Sequence, residues 1–377
     1  MKIIHFSQFS APYKGAFIKS LERLEELNKQ YIKFVYVFPE KTKKTFWINQ
    51  FMVEHEVYFT NDNLINCEDE IQNIFNKTKP QVVHTHFDGY DMPVTWAKKM
   101  YLKRHKKDIK VIWHLHNSLS FHSNILKKIY QFFIFKYHYG YLASKVNIIS
   151  VSQEMNHFVN RFKKRNQSEM LRVVLSNGVK LPEIGNNYEL VIKKEFRVFG
   201  TFGGINKSKR VDLLLEAGQI LEKKNLKFKI LITKGVDTLE VVNQFFKGKQ
   251  PDWVELMDQT DNVAEFYDKI DCFVSTSFHE TFSFAILEAT FYNKPVIQSD
   301  IEGTKWNAKN PSTLVFKSLN ANDLSIKMDA WRLLNGHCKA HARLIVEQSM
   351  TFDIPIWKTY REKIQKVIDR RREIFGV

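Results

Sequence analysis

Short apolar runs rich in Val, Ile and Phe recur along the first half of the chain, and longer amphipathic stretches separate them. A run of four to eight apolar residues between turn signals is typical of a strand that is buried on both faces of a parallel sheet. The first half therefore predicts the strands KIIHF, KFVYVF, QVVHTH, KVIWHLH, VNIISVS and VVLSNGV.

The same rhythm begins again after a polar stretch that contains Pro182 and Gly185. Between the strands, apolar residues at three- and four-residue spacing, as in residues 211–224, predict crossover helices. The pattern predicts an α/β fold of two Rossmann-like, doubly wound domains whose ligands lie at the carboxyl ends of the strands. The second set of strands reads FRVFGTFG, FKILITKG, WVELMD, CFVSTS and PVIQSD.

The length of 377 residues suits two cores. We predict an N-terminal domain over residues 1–182, a second domain over 183–353, and a C-terminal crossover helix over 354–377. The last segment is basic and amphipathic, and we expect it to return to the first domain. Its apolar positions at helical spacing are Trp357, Tyr360, Ile364 and Ile368.

The net charge of +16 is unevenly distributed. Residues 1–182 carry 28 Lys and Arg against 15 Asp and Glu, whereas residues 183–377 carry 29 against 26. A basic first half suits nucleic acid, anionic lipid or a phosphate-bearing substrate, and charge alone does not choose among them. The three cysteines are widely spaced and odd in number, which favours a reducing compartment. Since no signal-peptide pattern or spanning stretch is present, we expect a cytoplasmic protein.

The strand CFVSTS is followed by a polar turn and then by a helical run, which is where chemistry is expected. Ser283 is a candidate N-cap, and the N–H groups at a helix start favour an anion such as a nucleotide diphosphate. Glu288 lies roughly 7–8 Å farther along the helix axis, about the distance from a diphosphate to the ribose of the same nucleotide. Glu280, in the turn, could hold sugar hydroxyls or face positive charge at the anomeric carbon. The alternative is a pair of solvated surface acids.

The segment from His279 to Asp300 resembles the E-x7-E signature of family 4 of the retaining glycosyltransferases, which have the GT-B fold. Thr281, Ser283 and Asn293 stand where that family commonly has glycine, and a serine can still donate its N–H to phosphate. The resemblance assigns Phe282, Ser283, Phe284 and Glu288 to donor binding and Glu280 to catalysis. The residues in register are Ser277, Glu280, Phe282, Leu287, Glu288, Ala289, Pro295 and Val296.

Residues 199–217, FGTFGGINKSKRVDLLLEA, resemble the same family's G-R-x4-K-G-x-D-x-L-x2-A pattern. Its basic residues neutralise the departing diphosphate. Lys209 aligns with the family lysine, Gly204 falls where an arginine is expected, and Arg210 replaces the following glycine. The second positive charge would then come from Arg210 or Lys207. The alternative is an ordinary basic first turn on a core helix.

In the first half, QVVHTHF and KVIWHLHN resemble the family's two histidine-bearing strand ends. His116 is the candidate for sugar contact or for assisting proton movement from the acceptor. His84, His86 and His114 are expected to pack or to form hydrogen bonds. Two H-x-H pairs on neighbouring strands could hold zinc, but the sequence identifies no further ligand, so we predict no metal.

Gly15 opens a helix where the family has a Gly-Gly pair near the donor phosphate, although a plain turn would also explain it. The family resemblance implies two domains facing a central cleft, with the donor held mostly by the second and the acceptor by the first. It implies no cofactor, since the nucleotide sugar is a substrate.

We therefore predict a hexosyl- or N-acetylhexosaminyltransferase that moves a sugar, with retention, from a nucleotide-diphosphate donor, expected to be a UDP-sugar. The expected acceptor is a lipid-linked or polysaccharide hydroxyl in cell-surface polysaccharide synthesis. The alternatives are a sugar-nucleotide epimerase of the same fold and a non-enzymatic nucleic-acid-binding protein. Against the latter, no helix-turn-helix, zinc or RNA-recognition signature is found, and we expect no specific nucleic acid as partner.

Residues 121–141 interleave Phe and Tyr with Lys127, Lys128 and Lys136, and residues 98–110 add seven Lys and Arg against one Asp. Aromatics beside lysines suit an interfacial helix on an anionic membrane. Packing of the aromatics on the sheet is the alternative. We predict a peripheral enzyme on the inner face of the cell membrane.

Overall fold

The computed structural model describes residues 1–117, 119, 124–163, 170–178, 197–203, 207–235, 237–260, 262–333 and 358–366. The chain divides into two compact units, which are Met1–Lys180 with Ile354–Val377, and Leu181–Asp353. Each unit is built on one parallel sheet with helical crossovers. The prediction of two Rossmann-like, doubly wound α/β domains is confirmed.

The first unit contains a seven-stranded sheet in the order β3-β2-β1-β4-β5-β6-β7, and every pairing is parallel. Its central strands are buried throughout, because helices cover both faces of a parallel sheet. The edge strand β3, which was not predicted, is only partly buried. The strands are β1 (Lys2–Ser7), β2 (Lys33–Pro39), β3 (Val57–Thr60), β4 (Val82–His86), β5 (Lys110–Leu115), β6 (Asn147–Ser150) and β7 (Arg172–Val174).

The helices between these strands are amphipathic where they cover the sheet, as α1 shows by burying Ile18, Leu21 and Leu24. A π-helical segment, Lys136–Tyr141, continues α5. The α-helices of this part are α1 (Gly15–Asn28), α2 (Ile48–Glu54), α3 (Glu68–Thr78), α4 (Asp91–His105), α5 (Ile125–Phe135) and α6 (Gln153–Asn160).

The second unit contains a six-stranded parallel sheet in the order β10-β9-β8-β11-β12-β13. Its helices are α7 (Val211–Lys223), α8 (Thr238–Phe245), α9 (Val263–Lys269), α10 (Phe284–Phe291) and α11 (Ala321–Leu333). One of its apolar core clusters, which includes Leu214, Ile230 and Ile297, joins α7 to the sheet. The strands are β8 (Arg197–Phe202), β9 (Phe228–Thr233), β10 (Val254–Met257), β11 (Cys272–Ser275), β12 (Val296–Ser299) and β13 (Thr313–Phe316).

Both sheets have a point at which the strand order reverses. It lies between β1 and β4 in the first unit and between β8 and β11 in the second. In open α/β sheets, ligands bind in the crevice outside the carboxyl ends of the strands at such a switch point. These two edges are therefore where functional side chains are expected.

The helix at residues 358–366, α12, belongs to the first unit. Tyr360 and Ile364 are buried in that unit's core. The Lys363 ammonium donates to the carbonyl oxygen of Val174 at 2.6 Å. The predicted return of the C-terminal helix to the first domain is confirmed for these residues; the other residues of the predicted segment, 354–357 and 367–377, lie outside the described part.

Within the described residues, no helix combines the length and the apolar character needed to cross a bilayer.

Candidate functional site

The loop that follows β8 brings Lys209 to the switch point of the second unit. Gly203 begins this loop, and a Cβ atom there would overlap the carbonyl oxygen of Thr233, so only glycine fits. Lys209 ends a 3-10 turn, and its carbonyl oxygen accepts a hydrogen bond from Thr276 Oγ1 at 2.7 Å. The loop after β8 is therefore tied to the end of β11.

Glu280, in the loop that follows β11, forms an ion pair with Lys209. The same carboxylate oxygen accepts a hydrogen bond from Ser277 Oγ at 2.9 Å. The Glu280 side chain is only 14% exposed, so the pair is partly shielded from water. Two residues 71 positions apart, each predicted separately from the sequence, are in direct contact.

Residues at the end of β12 and just after it hold the backbone of this loop in place. The hydroxyl of Ser299 donates to the carbonyl oxygen of Ser277. Gly303 packs against the main chain of Glu280 so closely that a Cβ atom would overlap its carbonyl group. Sequence reasoning missed Gly303; its only signal is a lone glycine in the loop after β12.

Helix α10 begins at the predicted N-cap. Ser283 has extended backbone angles, and its Oγ accepts a hydrogen bond from the N–H of Ile286 at 3.4 Å. The first turn of a capped helix still presents N–H groups that suit a phosphate. Glu288 is half-buried one and a half turns farther along, near Tyr267, whose pKa is raised by burial first and by the Glu288 charge second.

The ring of Phe282 is used for packing more than for ligand contact. It is 6% exposed and stacks on Trp306, with ring centroids 5.2 Å apart. Phe284 meets it edge-on at 5.7 Å and is half-buried. The aromatic contacts fix the main chain between Glu280 and Ser283, which leaves the backbone of Phe282 as its possible contribution to donor binding.

At two positions where the resembling family has glycine, this chain has another residue, and its backbone angles lie in the region that glycine adopts readily. Arg210 has φ 48° and ψ 49°, and Asn293 has φ 55°. Both lie in the left-handed region. Asparagine adopts this region at a lower free-energy cost than most residues, and a residue with a long side chain adopts it at a higher cost. Arg210 and Asn293 therefore have backbone angles that glycine adopts readily.

The guanidinium of Arg210 is engaged by Asp212, with N–O distances of 2.8 to 3.0 Å. This hydrogen bonding raises the pKa of Arg210 and neutralises much of its charge. Gly204 and the side chain of Lys207 lie outside the described part of the chain. Lys209 is therefore the predicted cation that the structure brings to Glu280.

In the first unit, histidines of three neighbouring strands cluster on one face of the sheet. The register pairs His5 with His84 and His86 with His114. His5 Nδ1 lies 2.8 Å from His86 Nε2, and His86 Nδ1 lies 3.0 Å from His116 Nε2. His5 was not among the predicted residues, because its register with β4 is not visible in the sequence.

His116, the predicted catalytic histidine, is half-buried at the end of this chain of imidazoles. Burial lowers its pKa to about 3, although a hydrogen bond with Asn177 acts in the opposite direction. The ring is therefore neutral near pH 7, which is the form that can both donate and accept a hydrogen bond. A cavity of about 20 Å³ adjoins it and is also lined by His84, His86 and His114.

Gly15 lies at the start of α1 with φ +57°, which a residue with a Cβ adopts only at a cost. A Cβ atom at this position would have the ring of Phe9 as its nearest neighbour, at 3.7 Å. Space is therefore available for a side chain, and the backbone angle alone favours glycine.

Helix α5 presents apolar side chains to solvent. Asn124 caps its start by accepting hydrogen bonds from the N–H groups of Leu126 and Lys127 at 3.0 and 3.2 Å. No residue of α5 is buried. The exposed apolar side chains in and just after it are Ile125, Leu126, Ile129, Tyr130, Phe132, Phe133, Ile134, Tyr137 and Tyr141.

Comparison with known proteins shows that residues 196–331 match the model of the family Glycosyl transferases group 1. The chain is 26% identical over 187 residues to the capsular polysaccharide biosynthesis glycosyltransferase CapM of Staphylococcus aureus, covering 45% of this chain and 49% of CapM. It is 26% identical over 157 residues to the O-antigen biosynthesis glycosyltransferase WclY of Escherichia coli, covering 38% and 44%. The chain thus spans about half the length of the curated relatives it matches.

Solved structures cover nearly the whole chain. A glycosyltransferase from Rickettsia africae has 14% sequence identity and a TM-score of 0.73, covering 97% of this chain and 98% of its own. Anabaena HepE, crystallised with UDP-glucose, has 14% identity and a TM-score of 0.73, covering 97% and 99%. These likenesses concern the fold. Residues 196–331 of the second unit are thus similar to a glycosyl transferases group 1 domain, and the chain has the two-domain GT-B fold.

Proposed function

We propose that the protein is a retaining glycosyltransferase that takes its sugar from a nucleotide-diphosphate donor. The observation that carries the proposal is the contact between Lys209 and Glu280 at the switch point of the second sheet, beside the capped start of α10. A cation, a carboxylate and a helix N-terminus at one sheet edge match a ligand that has a diphosphate and a sugar.

The donor diphosphate would occupy the N–H groups at the start of α10 and contact the ammonium of Lys209. An incoming phosphate competes with Glu280 for Lys209, so donor binding would release the carboxylate to hold the sugar hydroxyls. Glu288 would accept hydrogen bonds from the ribose hydroxyls. We propose uridine as the nucleotide base, because HepE was crystallised with UDP-glucose.

In the transfer step, the acceptor hydroxyl oxygen attacks the anomeric carbon on the face from which the diphosphate departs. The bond between the anomeric carbon and the phosphate oxygen breaks, and its electron pair stays on the diphosphate. That oxygen takes the hydroxyl proton. Lys209 and the α10 N-terminus stabilise the growing negative charge, while Glu280 faces the positive charge on the sugar. This step uses neither a covalent enzyme nucleophile nor a metal ion.

From the first unit we carry forward His116 as a catalytic candidate, because its neutral imidazole can contact a sugar hydroxyl or assist its proton. The acceptor we propose is a lipid-linked or polysaccharide hydroxyl in cell-surface polysaccharide synthesis. CapM and WclY, whose names refer to capsular polysaccharide and O-antigen, support this choice.

We further propose that α5 lies in the interface of an anionic membrane. Its uncovered apolar side chains would enter the headgroup region, and Lys127, Lys128 and Lys136 would meet anionic lipid. A peripheral position of this kind would bring the enzyme to lipid-linked acceptors on the inner face of the cell membrane.

The decisive experiment incubates the full chain with a panel of labelled nucleotide sugars and with membrane extracts that contain lipid-linked acceptors. We expect a labelled glycolipid or polysaccharide and a free nucleoside diphosphate. Glu280→Gln should depress turnover severely, and Glu288→Ala should mainly raise the KM for the donor. Glu240→Gln, on the exposed surface of α8, is the matched control and should retain activity.

Full activity in Glu280→Gln or Glu288→Ala would refute the assigned roles. Conversion of the labelled sugar nucleotide to an isomer in the absence of acceptor would instead identify an epimerase.

A further inference from the structure

We propose that His5, His84 and His86 form a binding site for one divalent transition-metal ion, for which zinc is the expected metal. The site lies wholly in the first unit, and the proposal does not depend on the proposed transferase activity. It sits at the switch point between β1 and β4, where the register places His5 opposite His84.

The three side chains converge on one point of the sheet. Each offers one ring nitrogen, and these nitrogens all lie within 4.8 Å of one another. His5 Nδ1 and His86 Nε2 form a hydrogen bond of 2.8 Å. Two nitrogens on one tetrahedral zinc ion stand about 3.3 Å apart, given Zn–N distances of about 2.0–2.1 Å. On binding, the two rings would separate by about 0.5 Å, and bonds to the ion would replace the hydrogen bond between them.

The other ring nitrogens of two of these histidines are already held by neighbours. His84 Nδ1 lies 2.8 Å from the hydroxyl of Tyr360, which leaves its Nε2 to bind. His86 Nδ1 lies 3.0 Å from His116 Nε2, and its Nε2, which contacts His5 Nδ1 at 2.8 Å, is the nitrogen that would bind. Metal-binding histidines nearly always use their second nitrogen in such a hydrogen bond, because it fixes the tautomer and the ring orientation.

The ligand nitrogens are enclosed by the protein. His5 is 1% exposed and His84 is 0% exposed. His84 Nε2 has no hydrogen-bond partner within the described residues, and a metal ion would supply one.

A cavity adjoins two of the three histidines. His84 and His86 line the cavity of about 20 Å³, which has room for one water molecule. Three imidazoles and one water give the tetrahedral set that zinc prefers. Since β1, β4 and, through Tyr360, α12 all meet there, the ion would join three segments that are distant in the sequence.

A second triad, His86 with His114 and His116, also brings its nitrogens within 4.8 Å. We favour His5 and His84 because Tyr360 orients His84 as a ligand. His114 is therefore the matched control, since it is a buried histidine of the same cluster outside the proposed site.

The test uses the full chain, stripped with a chelator and titrated with ZnCl2 by calorimetry, with CoCl2 absorption as a second readout. We expect one ion per chain and the intense visible bands of tetrahedral Co²⁺. His5→Gln and His84→Gln should weaken Zn²⁺ binding by roughly 100-fold or more, Tyr360→Phe by about 10-fold, and His114→Gln by little. Circular dichroism of the stripped variants establishes that each is folded, and a variant that fails this check is replaced by the corresponding alanine variant.

Binding of less than one ion per chain, or equal affinity in His5→Gln and the unmodified chain, would overturn the proposal. So would loss of binding in His114→Gln with retention in His5→Gln, because that result would assign the metal to the second triad. Neither outcome bears on sugar transfer.

Discussion

Gly303 faces the main chain of Glu280 so closely that a Cβ atom at position 303 would overlap the Glu280 carbonyl group. Gly303→Ala should therefore displace the loop that carries Glu280 and lower kcat by about 10-fold or more, since small misplacements of reacting groups are costly. Gly248→Ala is the control, because a Cβ there has open space and only the left-handed φ is unfavourable. Equal kcat values in the two variants would show that the close approach at Gly303 has no role in positioning Glu280.

Lys209 and Arg210 are adjacent but differently engaged. Lys209 contacts Glu280, whereas Arg210 is bound by Asp212. We expect Lys209→Ala to lower kcat by about 100-fold and Arg210→Ala by less than about 10-fold, because we propose that Lys209, unlike its neighbour Arg210, stabilises the diphosphate leaving group. Steady-state kinetics with saturating donor provide the measurement. A larger loss in Arg210→Ala would transfer the role to Arg210.

Asn293 has left-handed backbone angles at a position where the resembling family has glycine. With φ 55°, Asn293→Ala should reduce the free energy of unfolding by about 1 kcal/mol, since alanine adopts this region less readily. Asn293→Gly should leave it nearly unchanged. Urea unfolding of both variants measures the difference, and equal stabilities would contradict the backbone explanation.

Asp91 is fully buried beside Thr85 and His138. Burial raises its pKa to about 6, against the hydrogen bonds from His138 and Thr85, which lower it. Because the folded state binds this proton more tightly than the unfolded state, the Asp91 contribution to stability falls as the pH rises from about 4 to about 6.

Asp91→Asn removes that ionisation. The change in the free energy of unfolding that this substitution causes should therefore be more stabilising at pH 8 than at pH 5, by about 1 kcal/mol. Urea unfolding of the variant and the unmodified chain at both pH values gives the comparison, in which titrating groups that do not interact with Asp91 cancel. A pH-independent difference would mean that Asp91 is ionised, or neutral, throughout this range.

The exposed apolar side chains of α5 predict a measurable affinity for membranes. Leu126→Glu with Phe133→Glu should reduce co-sedimentation with vesicles that contain anionic lipid by at least about 10-fold, because both side chains are exposed and apolar. Leu239→Glu with Ile326→Glu, two exposed positions of the second unit, is the control. Binding of the unmodified chain should weaken with added salt. If the chain ignores such vesicles at low salt, the membrane proposal fails and the transferase proposal stands.

The central strands could be predicted from the sequence because a strand covered on both faces is a continuous apolar run. The edge strands β3 and β13 were missed, since each has four residues and is largely half-buried, so that its apolar run is short. Local patterns also identified Ser283 as a helix cap. The contact between Lys209 and Glu280, and the meeting of His5 with His86, depend on which strands are neighbours, and no local pattern records that.

The attachment of α12 to the first unit has a consequence for synthesis on the ribosome. Tyr360 and Ile364 complete the core of a unit whose other residues end at position 180, yet they emerge only after the whole second unit has been made. The nascent first unit must therefore wait, with the apolar surface that receives these two side chains uncovered, while about 170 further residues are translated, which at about 5–20 residues per second takes on the order of ten seconds or more.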